Sequence, residues 1–171
     1  VTVSQVNDDA TFGGDISGTG AEDGGAITGT LTASDIADGL NNPNFTVSAD
    51  GANGSATINA TTGAWSYTPD TNFNGSDSFT VTITDDDNNT ETQVINVTVS
   101  QVNDAGSFTG NLNASGNEDG GNITGTLDFT DTNDGALNPN FTISADGANG
   151  VASIDATTGA WSYAPNTNFN G

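Results

Sequence analysis

Acidic residues gather in a few short loops of this sequence, often with glycine or asparagine beside them. Glu22 and Asp23 precede two glycines, and Asp35 is followed three positions later by Asp38. Calcium takes six to eight oxygen ligands from carboxylates, amide and backbone carbonyls, and water, so loops of this composition suit it. Magnesium suits them less, because it requires stricter octahedral geometry and keeps its own waters. The pattern therefore predicts calcium as the ion, with these candidate ligands: Asn7, Asp8, Glu22, Asp23, Asp35, Asp38, Asp77, Asp85, Asp86, Asp87, Asn103, Asp104, Glu118, Asp119, Asp131 and Asp134.

The charge balance of the chain favours the same prediction. Its 171 residues include 22 aspartates and glutamates but no lysine, arginine or histidine, which gives a formal charge of −22. A carboxylate in a folded protein must face water, accept hydrogen bonds from neutral donors or lie beside a cation, and here no side chain can be that cation. A single aspartate is adequately explained as solvated surface, whereas a cluster favours a metal ion. The run of aspartates at 85–87 is also compatible with a solvated loop.

Composition also excludes several classes of function. A chain with no basic patch is not expected to bind nucleic acid phosphates. An anionic membrane surface would repel it, and no apolar run approaches the roughly 20 residues that span a bilayer, so no membrane insertion is expected. Histidine, cysteine and lysine are absent, which removes the usual nucleophile activators, zinc ligands and Schiff-base amines. Hydrolysis by paired carboxylates stays open in principle, but the chain is predicted not to be an enzyme.

The sequence is organised by an internal repeat. The run VTVSQVND at positions 1–8 returns unchanged at 97–104, and the offset of 96 residues holds to the end without an insertion. About two thirds of the compared positions are identical, including Trp65 and Trp161. A period of this length is too long for a solenoid turn and suits an independently folding domain.

The repeat divides the chain into three segments. Residues 1–7 are interpreted as the final strand and linker of a preceding repeat, and residues 8–103 as one complete repeat. Residues 104–171 are interpreted as a second repeat that lacks the counterpart of residues 76–96. Because those residues carry the last strands of the module, the second repeat is predicted to have an open edge.

Short stretches of alternating apolar and polar residues recur between turn-forming glycine, asparagine and aspartate. This pattern is typical of an antiparallel β-sandwich, and no segment has convincing helical periodicity, so the chain is predicted to be all-β. Trp65 and Tyr67 share one face of a predicted strand and are interpreted as core, with a sugar-stacking platform as the alternative. A tight turn with Gly63 at positive φ is predicted just before them. The predicted strands span residues 27–33, 44–48, 55–60, 64–68, 78–84 and 92–99.

Several motifs, taken in their order, resemble one known family. They are EDG at 22–24, YTPDTNFNG at 67–75, DSFTVTITD at 77–85, VTV at 97–99 and QVND at 101–104. Together they resemble the bacterial cadherin-like tandem repeats, including VCBS repeats, over essentially the whole repeat. The resemblance implies Ig-like or cadherin-like sandwiches in tandem, strung along large secreted adhesins at the cell surface.

The resemblance also implies roles for individual ligands. Asn103 and Asp104 are similar to the cadherin linker residues that bind calcium between successive domains. Glu22 resembles the glutamate at the base of the domain, and Asp85 with its neighbours resembles the late loop that completes the site. Through the repeat, the same roles are expected for Asn7, Asp8 and Glu118.

Two features depart from the family pattern or differ between the copies. The family has a tighter Asp-x-Asp where this chain has Asp35 and Asp38. Asp9 follows the first linker whereas Ala105 follows the second, so the two junctions are expected to differ in calcium affinity.

The functional hypothesis that follows is mechanical. Without an ion, like charges at each junction would let neighbouring repeats pivot, whereas calcium bridging carboxylates of both repeats would fix them as a rod of extender repeats. The expected partners are therefore neighbouring repeats of the same chain. One alternative is a self-assembling extracellular filament, in which strands of another copy complete the second repeat and residues 1–6 are a preformed strand. The other alternative is a glycan-binding module.

Overall fold

The computed structural model describes residues 1–3, 6–35, 40, 43–85, 88–134 and 139–171. All regular elements among these residues are β-strands, arranged in three four-stranded sheets, so the predicted all-β fold is confirmed. The chain divides into two compact units, Val1–Val102 and Asn103–Gly171. None of the described residues belongs to a helix long and apolar enough to cross a bilayer.

The first unit is a sandwich of two sheets. One sheet has the order β1-β3-β6-β5 with antiparallel pairs throughout. The other has the order β2-β8-β7-β4, in which β2 runs parallel to β8 and the remaining pairs are antiparallel. The strands are β1 (Thr11–Gly14), β2 (Ser17–Ala21), β3 (Ile27–Ser34), β4 (Asn44–Ala49), β5 (Gly54–Ile58), β6 (Ala64–Pro69), β7 (Gly75–Thr84) and β8 (Thr90–Ser100).

All six strands predicted from alternation form, with bounds that differ by a few residues. Two strands were not predicted, namely β1 and β2. Their sequences, TFGG and SGTGA, are short and rich in glycine, so they lack the branched and aromatic residues that signal a strand. Both lie before the first strongly apolar strand and bring the chain into the two sheets in turn.

The core of the first unit lies between its two sheets. Trp65 packs edge-on against Phe79 with ring centroids 5.6 Å apart, and Tyr67 stacks on Phe79 at 6.0 Å. Trp65 is 2% exposed and Tyr67 is fully buried, which confirms that they are core residues. Burial of each large apolar side chain contributes about 1.5–3 kcal/mol. The buried set is Ile27, Leu31, Phe45, Trp65, Tyr67, Phe79, Val81, Ile83, Ile95, Val97 and Val99.

The two ends of this sandwich carry different loops. At the end that we call the leading end, β1 begins, β3 ends, and the chain passes from Thr84 of β7 to Thr90 of β8. The two sheets meet there through the hydrogen bond from the N–H of Phe45 to the carbonyl of Ala60 (3.0 Å). At the opposite, trailing end, β2 and β8 both finish and β7 begins. Any metal ligand of this unit must therefore be assigned to one end or the other.

The second unit, as far as it is described, forms one antiparallel sheet with the order β11-β12-β10-β9. A cavity of about 430 Å³ lies against it, lined by Ile123, Trp161, Tyr163 and Phe169 among others. Each strand begins 96 residues after a strand of the first unit, with β9 following β1, β10 following β3, β11 following β5 and β12 following β6. The strands are β9 (Ser107–Gly110), β10 (Ile123–Thr130), β11 (Gly150–Ile154) and β12 (Ala160–Pro165).

The hairpin between β5 and β6 turns through Gly63, as predicted. Gly63 has a φ of 68°, its N–H donates to the carbonyl of Asn59 (3.0 Å), and its own carbonyl accepts from the N–H of Leu31 (2.9 Å). A Cβ at this position would collide with the carbonyl oxygen of Leu31. Both the backbone conformation and the available space therefore require glycine.

We expect Gly63→Ala to lower the free energy of unfolding of the first unit by at least about 2 kcal/mol, because alanine meets both the left-handed penalty and the collision. Gly25→Ala is the matched control. Gly25 also has a positive φ, 89°, but a Cβ there has nothing within 4 Å, so we expect a loss of only about 1 kcal/mol. Urea denaturation followed by circular dichroism gives both values, and equal losses would contradict the role assigned to Leu31.

Candidate metal sites

The acidic residues that the structure describes lie almost entirely in loops. Within the described ranges, only Asp77, Glu91 and Asp128 fall inside strands. Like charges placed side by side on a sheet destabilise it, whereas loops at the ends of a sandwich give carboxylates access to water, backbone N–H groups or ions. The described candidates of the first unit other than Asp77 are accordingly divided between its leading and trailing ends.

At the trailing end of the first unit, Glu22 is a buried carboxylate, 1% exposed. Its Oε1 accepts the backbone N–H of Val102 (2.7 Å) and its Oε2 accepts the Nδ2 of Asn74 (3.1 Å). Its own N–H donates to the carbonyl of Ser100 (2.9 Å). Neutral donors thus replace the hydration of this charge. Asp23, the next residue, is exposed and has a φ of 58°.

The second unit has the same arrangement around Glu118 and Asp119. Asn170 donates its Nδ2 to the Oε2 of Glu118 (3.2 Å), and the N–H of Asn168 reaches the Oδ1 of Asp119 (3.3 Å). Asp119 has a φ of 56°. Glu118 differs from Glu22 in being exposed.

Asn74 is a site residue that the sequence prediction missed. In both units an asparagine 52 residues after the glutamate donates to its Oε2, Asn74 to Glu22 and Asn170 to Glu118. The available signal was the Asn-Gly pair at 74–75 and 170–171. That pair reads as an ordinary turn, so its side-chain partner could be found only from the fold.

The leading end of the first unit gathers another set of candidate residues. Asn7 donates its Nδ2 to Glu91 near the start of β8 (3.4 Å). Asp85 is 9% exposed, and its two carboxylate oxygens accept the N–H (2.8 Å) and the Nδ2 (3.1 Å) of Asn89. Asp8 is exposed and Asp35 is half-buried. The other predicted ligands of this end, Asp38, Asp86 and Asp87, lie outside the described residues.

Glu22 and Asp85 lie at opposite ends of the first unit. Asp85 follows the strand end that pairs with Thr90 at the start of β8, whereas Glu22 bonds to Ser100 at its finish. The 11 residues of β8 rise by about 3.3 Å each, which separates its two ends by about 33 Å. No single ion can bind both side chains of one unit. The resemblance implied a late loop that completes the site of Glu22, and that loop would have to come from a different repeat.

The second unit brings three predicted ligands together near its start. The N–H of Asp104 donates to the Oδ2 of Asp134, and the N–H of Asp134 donates to the Oδ1 of Asp131 (3.2 Å). The Oδ2 of Asp104 is buried and has no hydrogen-bond partner. Asn103 donates its Nδ2 to the carbonyl of Asp104 (2.8 Å). Oxygen donors of this kind and one unpartnered buried oxygen fit a hard cation such as calcium.

The described residues supply only part of the coordination that calcium requires. Among the described residues, no group of three or more histidine, cysteine, aspartate or glutamate side chains converges closely enough to form a preformed metal centre. Calcium needs six to eight oxygens, so Asp104, Asp131 and Asp134 would hold it only together with water, backbone carbonyls or further side chains.

Asp77 has a different environment from the other candidates. Its carboxylate accepts the Tyr67 hydroxyl (2.6 Å) and the backbone N–H groups of Ala52 (3.2 Å), Asn53 (2.8 Å) and Ser78 (2.8 Å). Burial raises the pKa of Asp77, but these hydrogen bonds outweigh burial and hold the pKa below its usual value. Burial, followed by the bond to Asp77, raises the pKa of Tyr67 well above its usual range. This geometry makes Asp77 an anchor for the turn before β5 and gives no support to a ligand role.

Comparison with known proteins places this architecture in a family. The model of the bacterial Ig domain family matches residues 7–98, which is more than half of the chain. The chain belongs to the bacterial Ig domain family. No curated protein sequence matches this bacterial Ig chain. Among solved structures, it is similar to extracellular cadherin domains 3-6 of protocadherin gamma B2, with a TM-score of 0.55 and 12% sequence identity.

The structural likeness covers 95% of this bacterial Ig chain and 39% of the protocadherin chain, and at 12% sequence identity it shows the fold alone. Together with the family match, it confirms the resemblance to bacterial cadherin-like and Ig-like repeats that the motifs indicated. The family and the fold are those of structural domains rather than enzymes.

In this bacterial Ig domain, Tyr67→Phe should lower the free energy of unfolding of the first unit by about 1–2 kcal/mol at neutral pH, because a hydrogen bond to an ionised carboxylate is lost. The depressed pKa of Asp77 stabilises the fold above about pH 4, and that stabilisation is lost as pH falls. The raised pKa of Tyr67 has the opposite sign, so its stabilisation is lost as pH rises above about 10.

Urea denaturation at a series of pH values measures both effects. The difference between wild type and Tyr67→Phe should shrink at both extremes of pH. Tyr163→Phe, at the counterpart of Tyr67 in the second unit, is the matched control, because Asp77 bonds to Tyr67 and its titration is not expected to act on Tyr163. A difference that stays constant from neutral pH to pH 3 would show that Asp77 and Tyr67 are not coupled.

Proposed function

We propose that this bacterial Ig chain is a stretch of extender repeats from a secreted surface protein, and that calcium fixes consecutive domains into a rod. Bacterial Ig and cadherin-like domains are structural or adhesive modules and are typically extracellular. The calcium assignment is supported above all by one observation, the buried Oδ2 of Asp104 that has no hydrogen-bond partner.

That oxygen has few possible partners. A carboxylate oxygen shielded from water costs free energy unless a donor or cation compensates for its lost hydration. The backbone N–H of Asp104 itself is already bonded to Asp134, and the chain has no cationic side chain. Calcium would supply the missing positive charge and would be coordinated by oxygen atoms of several groups at once.

The proposed ligands come from the end of one repeat and the start of the next. Glu22 bonds to the N–H of Val102 and so holds the chain immediately before the linker residues, with Asp23 beside it. The ligands proposed in the second unit are Asn103, Asp104, Asp131 and Asp134. By the repeat, the ligands proposed for the first junction are Asn7, Asp8, Asp35 and Asp38, and the resemblance adds Asp85, Asp86 and Asp87 to them. Glu118 and Asp119 are the counterparts of Glu22 and Asp23 in the second unit.

The rigidity follows from electrostatics. Carboxylates held near one another on a short linker repel when no cation lies between them, so consecutive domains favour arrangements that keep these groups apart. Ligands shared by two domains favour one arrangement instead. Extracellular modules bind calcium with dissociation constants of about 10⁻⁴ to 10⁻³ M. Sites of this affinity are occupied outside cells and empty in the cytosol.

We expect calcium to raise the melting temperature of the 171-residue chain. At about 10 mM calcium and a dissociation constant of about 1 mM, linkage contributes about 1.4 kcal/mol, which corresponds to roughly 6–11 °C for a unit of about 60–100 residues that unfolds on its own. Asp104→Asn and Asp134→Asn should each remove most of this shift. Asp128→Asn is the control, because it makes the same change of charge at an exposed strand position in the same unit.

Circular dichroism melts in calcium, in magnesium and in a chelator measure these shifts. Small-angle scattering on the same samples should show a larger maximum dimension with calcium than with chelator. An equal shift for Asp104→Asn, Asp134→Asn and Asp128→Asn would mean nonspecific screening of the net charge. A maximum dimension that does not change on chelation would contradict the rod even if calcium binds.

A second candidate function, assembly of copies by strand exchange, is favoured by one observation. Val1 and Val3 are exposed, yet their sequence is identical to that of Val97 and Val99, which are buried in β8. In the second unit, residues 113–117 lie 96 positions after β2, the neighbour of β8, and do not form a strand. Residues 1–6 of another copy therefore match a strand that would fit beside residues 113–117.

Strand exchange predicts a mass above that of one chain in size-exclusion chromatography with light scattering. Val3→Asp should return the chain to the mass of a monomer, because it places a charge on the face that would become buried. Val94→Asp, at a valine that is 45% exposed on β8, should leave the mass unchanged. A monomeric mass for the unaltered chain at high concentration, with and without calcium, would eliminate this candidate.

A further inference from the structure

Two Asn-Gly-Ser triplets of the first unit are held differently by the fold. The first triplet is residues 53–55 and the second is residues 74–76. When glycine follows asparagine, the glycine nitrogen easily reaches the side-chain amide, because no Cβ obstructs the approach. The two triplets have the same sequence, so the fold rather than the local sequence is expected to set any difference in their reactivity.

Asparagine is one of the chemically labile residues of proteins, and loss of its side-chain amide needs only water. The peptide nitrogen of the following glycine gives up its proton to solvent and attacks Cγ of the asparagine, so that a new C–N bond closes a ring. The bond from Cγ to Nδ2 breaks, and Nδ2 leaves as ammonia after taking a proton from water. Water then opens the ring at either carbonyl, which gives aspartate or isoaspartate. One water is consumed, one ammonia is released, and nothing is oxidised or reduced.

The fold confines the first triplet. The N–H of Asn53 donates to the Oδ2 of Asp77 (2.8 Å). Gly54 is packed so closely that a Cβ there would lie 2.5 Å from both the Tyr67 hydroxyl and the Thr68 carbonyl oxygen. Ring closure would move the nitrogen of this glycine, so the hairpin would have to open before the reaction could proceed.

The second triplet is open to solvent. Asn74 and Gly75 are both exposed, and Gly75 has a φ of 126°. Apart from its chain neighbours, a Cβ at Gly75 would have only the ring of Phe73 within 4 Å, at 3.8 Å. The backbone therefore has room to move toward the side chain of Asn74, and the reaction needs a smaller opening than at the first triplet.

Asn74 is also a donor to a buried carboxylate. Its Nδ2 donates to the Oε2 of Glu22 (3.1 Å), while the Oε1 of Glu22 accepts the N–H of Val102 (2.7 Å). Loss of the amide replaces this donor by a carboxylate, so that Oε2 loses its partner and faces a like charge. The chain has no lysine, arginine or histidine to place between the two charges. Glu22 then becomes unfavourable in its buried position, and its bond to Val102 is weakened with it.

We propose that Asn74 is a site of spontaneous deamidation, and that its product loosens the contact through which Glu22 holds the departing chain at Val102. The inference goes beyond the extender function and does not depend on calcium. Deamidation accumulates with time, so an old chain would differ from a new one at the end of the domain that precedes the linker.

The second unit repeats the site with a smaller expected consequence. Asn170 donates its Nδ2 to the Oε2 of Glu118 (3.2 Å) and is followed by Gly171. Glu118 is exposed whereas Glu22 is buried, so water can replace the lost donor at Glu118. The loss of stability on deamidation is therefore expected in the first unit.

Incubation of the 171-residue chain in chelator at mildly alkaline pH tests the site, because alkali promotes loss of the glycine N–H proton. Mass spectrometry of peptic peptides reports the conversion of each asparagine separately. In the native chain we expect Asn74 to convert at least about tenfold faster than Asn53. In urea the two should convert at similar rates, since their triplets are identical. Equal rates in the native chain, or a difference that persists in urea, would overturn the assignment.

Substitutions test the consequence on a homogeneous protein. In chelator, Asn74→Asp should accelerate hydrogen exchange of the Val102 amide, measured by NMR, at least about tenfold and lower the melting temperature by at least about 4 °C. Asn59→Asp is the matched control, because it makes the same change of charge where the second unit already has Asp155. Both of these side chains accept backbone N–H groups of the turn that follows them, so we expect no loss for Asn59→Asp.

A double variant separates charge repulsion from general damage to the fold. Glu22→Gln combined with Asn74→Asp exchanges the two partners, because the glutamine amide can donate to the new aspartate while its oxygen still accepts the N–H of Val102. We expect most of the lost stability and exchange protection to return. If Asn74→Asp behaves like Asn59→Asp, or if the double variant recovers nothing, the proposed consequence is wrong. Because all measurements are made in chelator, this proposal and the calcium junction can fail separately.

Discussion

The structure depends on one constraint, which is that 22 acidic side chains share a chain with no lysine, arginine or histidine. No ion pair between side chains can offset their repulsion, so carboxylates must be placed where water or neutral donors reach them. The outer faces of the described strands carry mostly threonine and serine, and few charged residues. Where acidic residues are used structurally, backbone N–H groups serve them, as Thr157 and Thr158 do for Asp155, whose pKa their hydrogen bonds lower.

The same constraint has different results at the trailing end of the first unit and at the start of the second unit. Glu22 is buried but satisfied, because Val102, Asn74 and its own backbone provide or receive hydrogen bonds. Asp104 is only partly satisfied, since its Oδ2 is buried without a partner. The first arrangement locks the chain as it leaves the sandwich, with hydrogen bonds from donors of the first unit itself. The second arrangement favours a cation, and so rigidity within the domain and rigidity between domains are proposed to have separate origins.

Alternation and turn residues were sufficient to predict the all-β class and six of the eight strands of the first unit. The six strongly patterned strands, the turn at Gly63 and the core positions of Trp65 and Tyr67 all follow from local sequence. β1 and β2 could not be predicted, because their glycines are required by residues that approach them only in the fold, Thr30 at Gly14 and Ile27 at Gly18 and Gly20. The described acidic candidates other than Asp77 lie in loops, yet which end of the sandwich each occupies depends on strand order. That is why Asp85 and Glu22 were grouped, and why the structural partners of Asp77 were not foreseen.

The most direct test of the account is a crystal structure of the chain grown with calcium, with anomalous scattering used to identify the ion. The account predicts an anomalous peak at about 2.3–2.6 Å from the Oδ2 of Asp104, the range of calcium–oxygen bonds. Further oxygens from Asp131 or Asp134 should complete part of its coordination. A well-ordered Asp104 whose Oδ2 contacts only water or a protein N–H in the presence of calcium would contradict it.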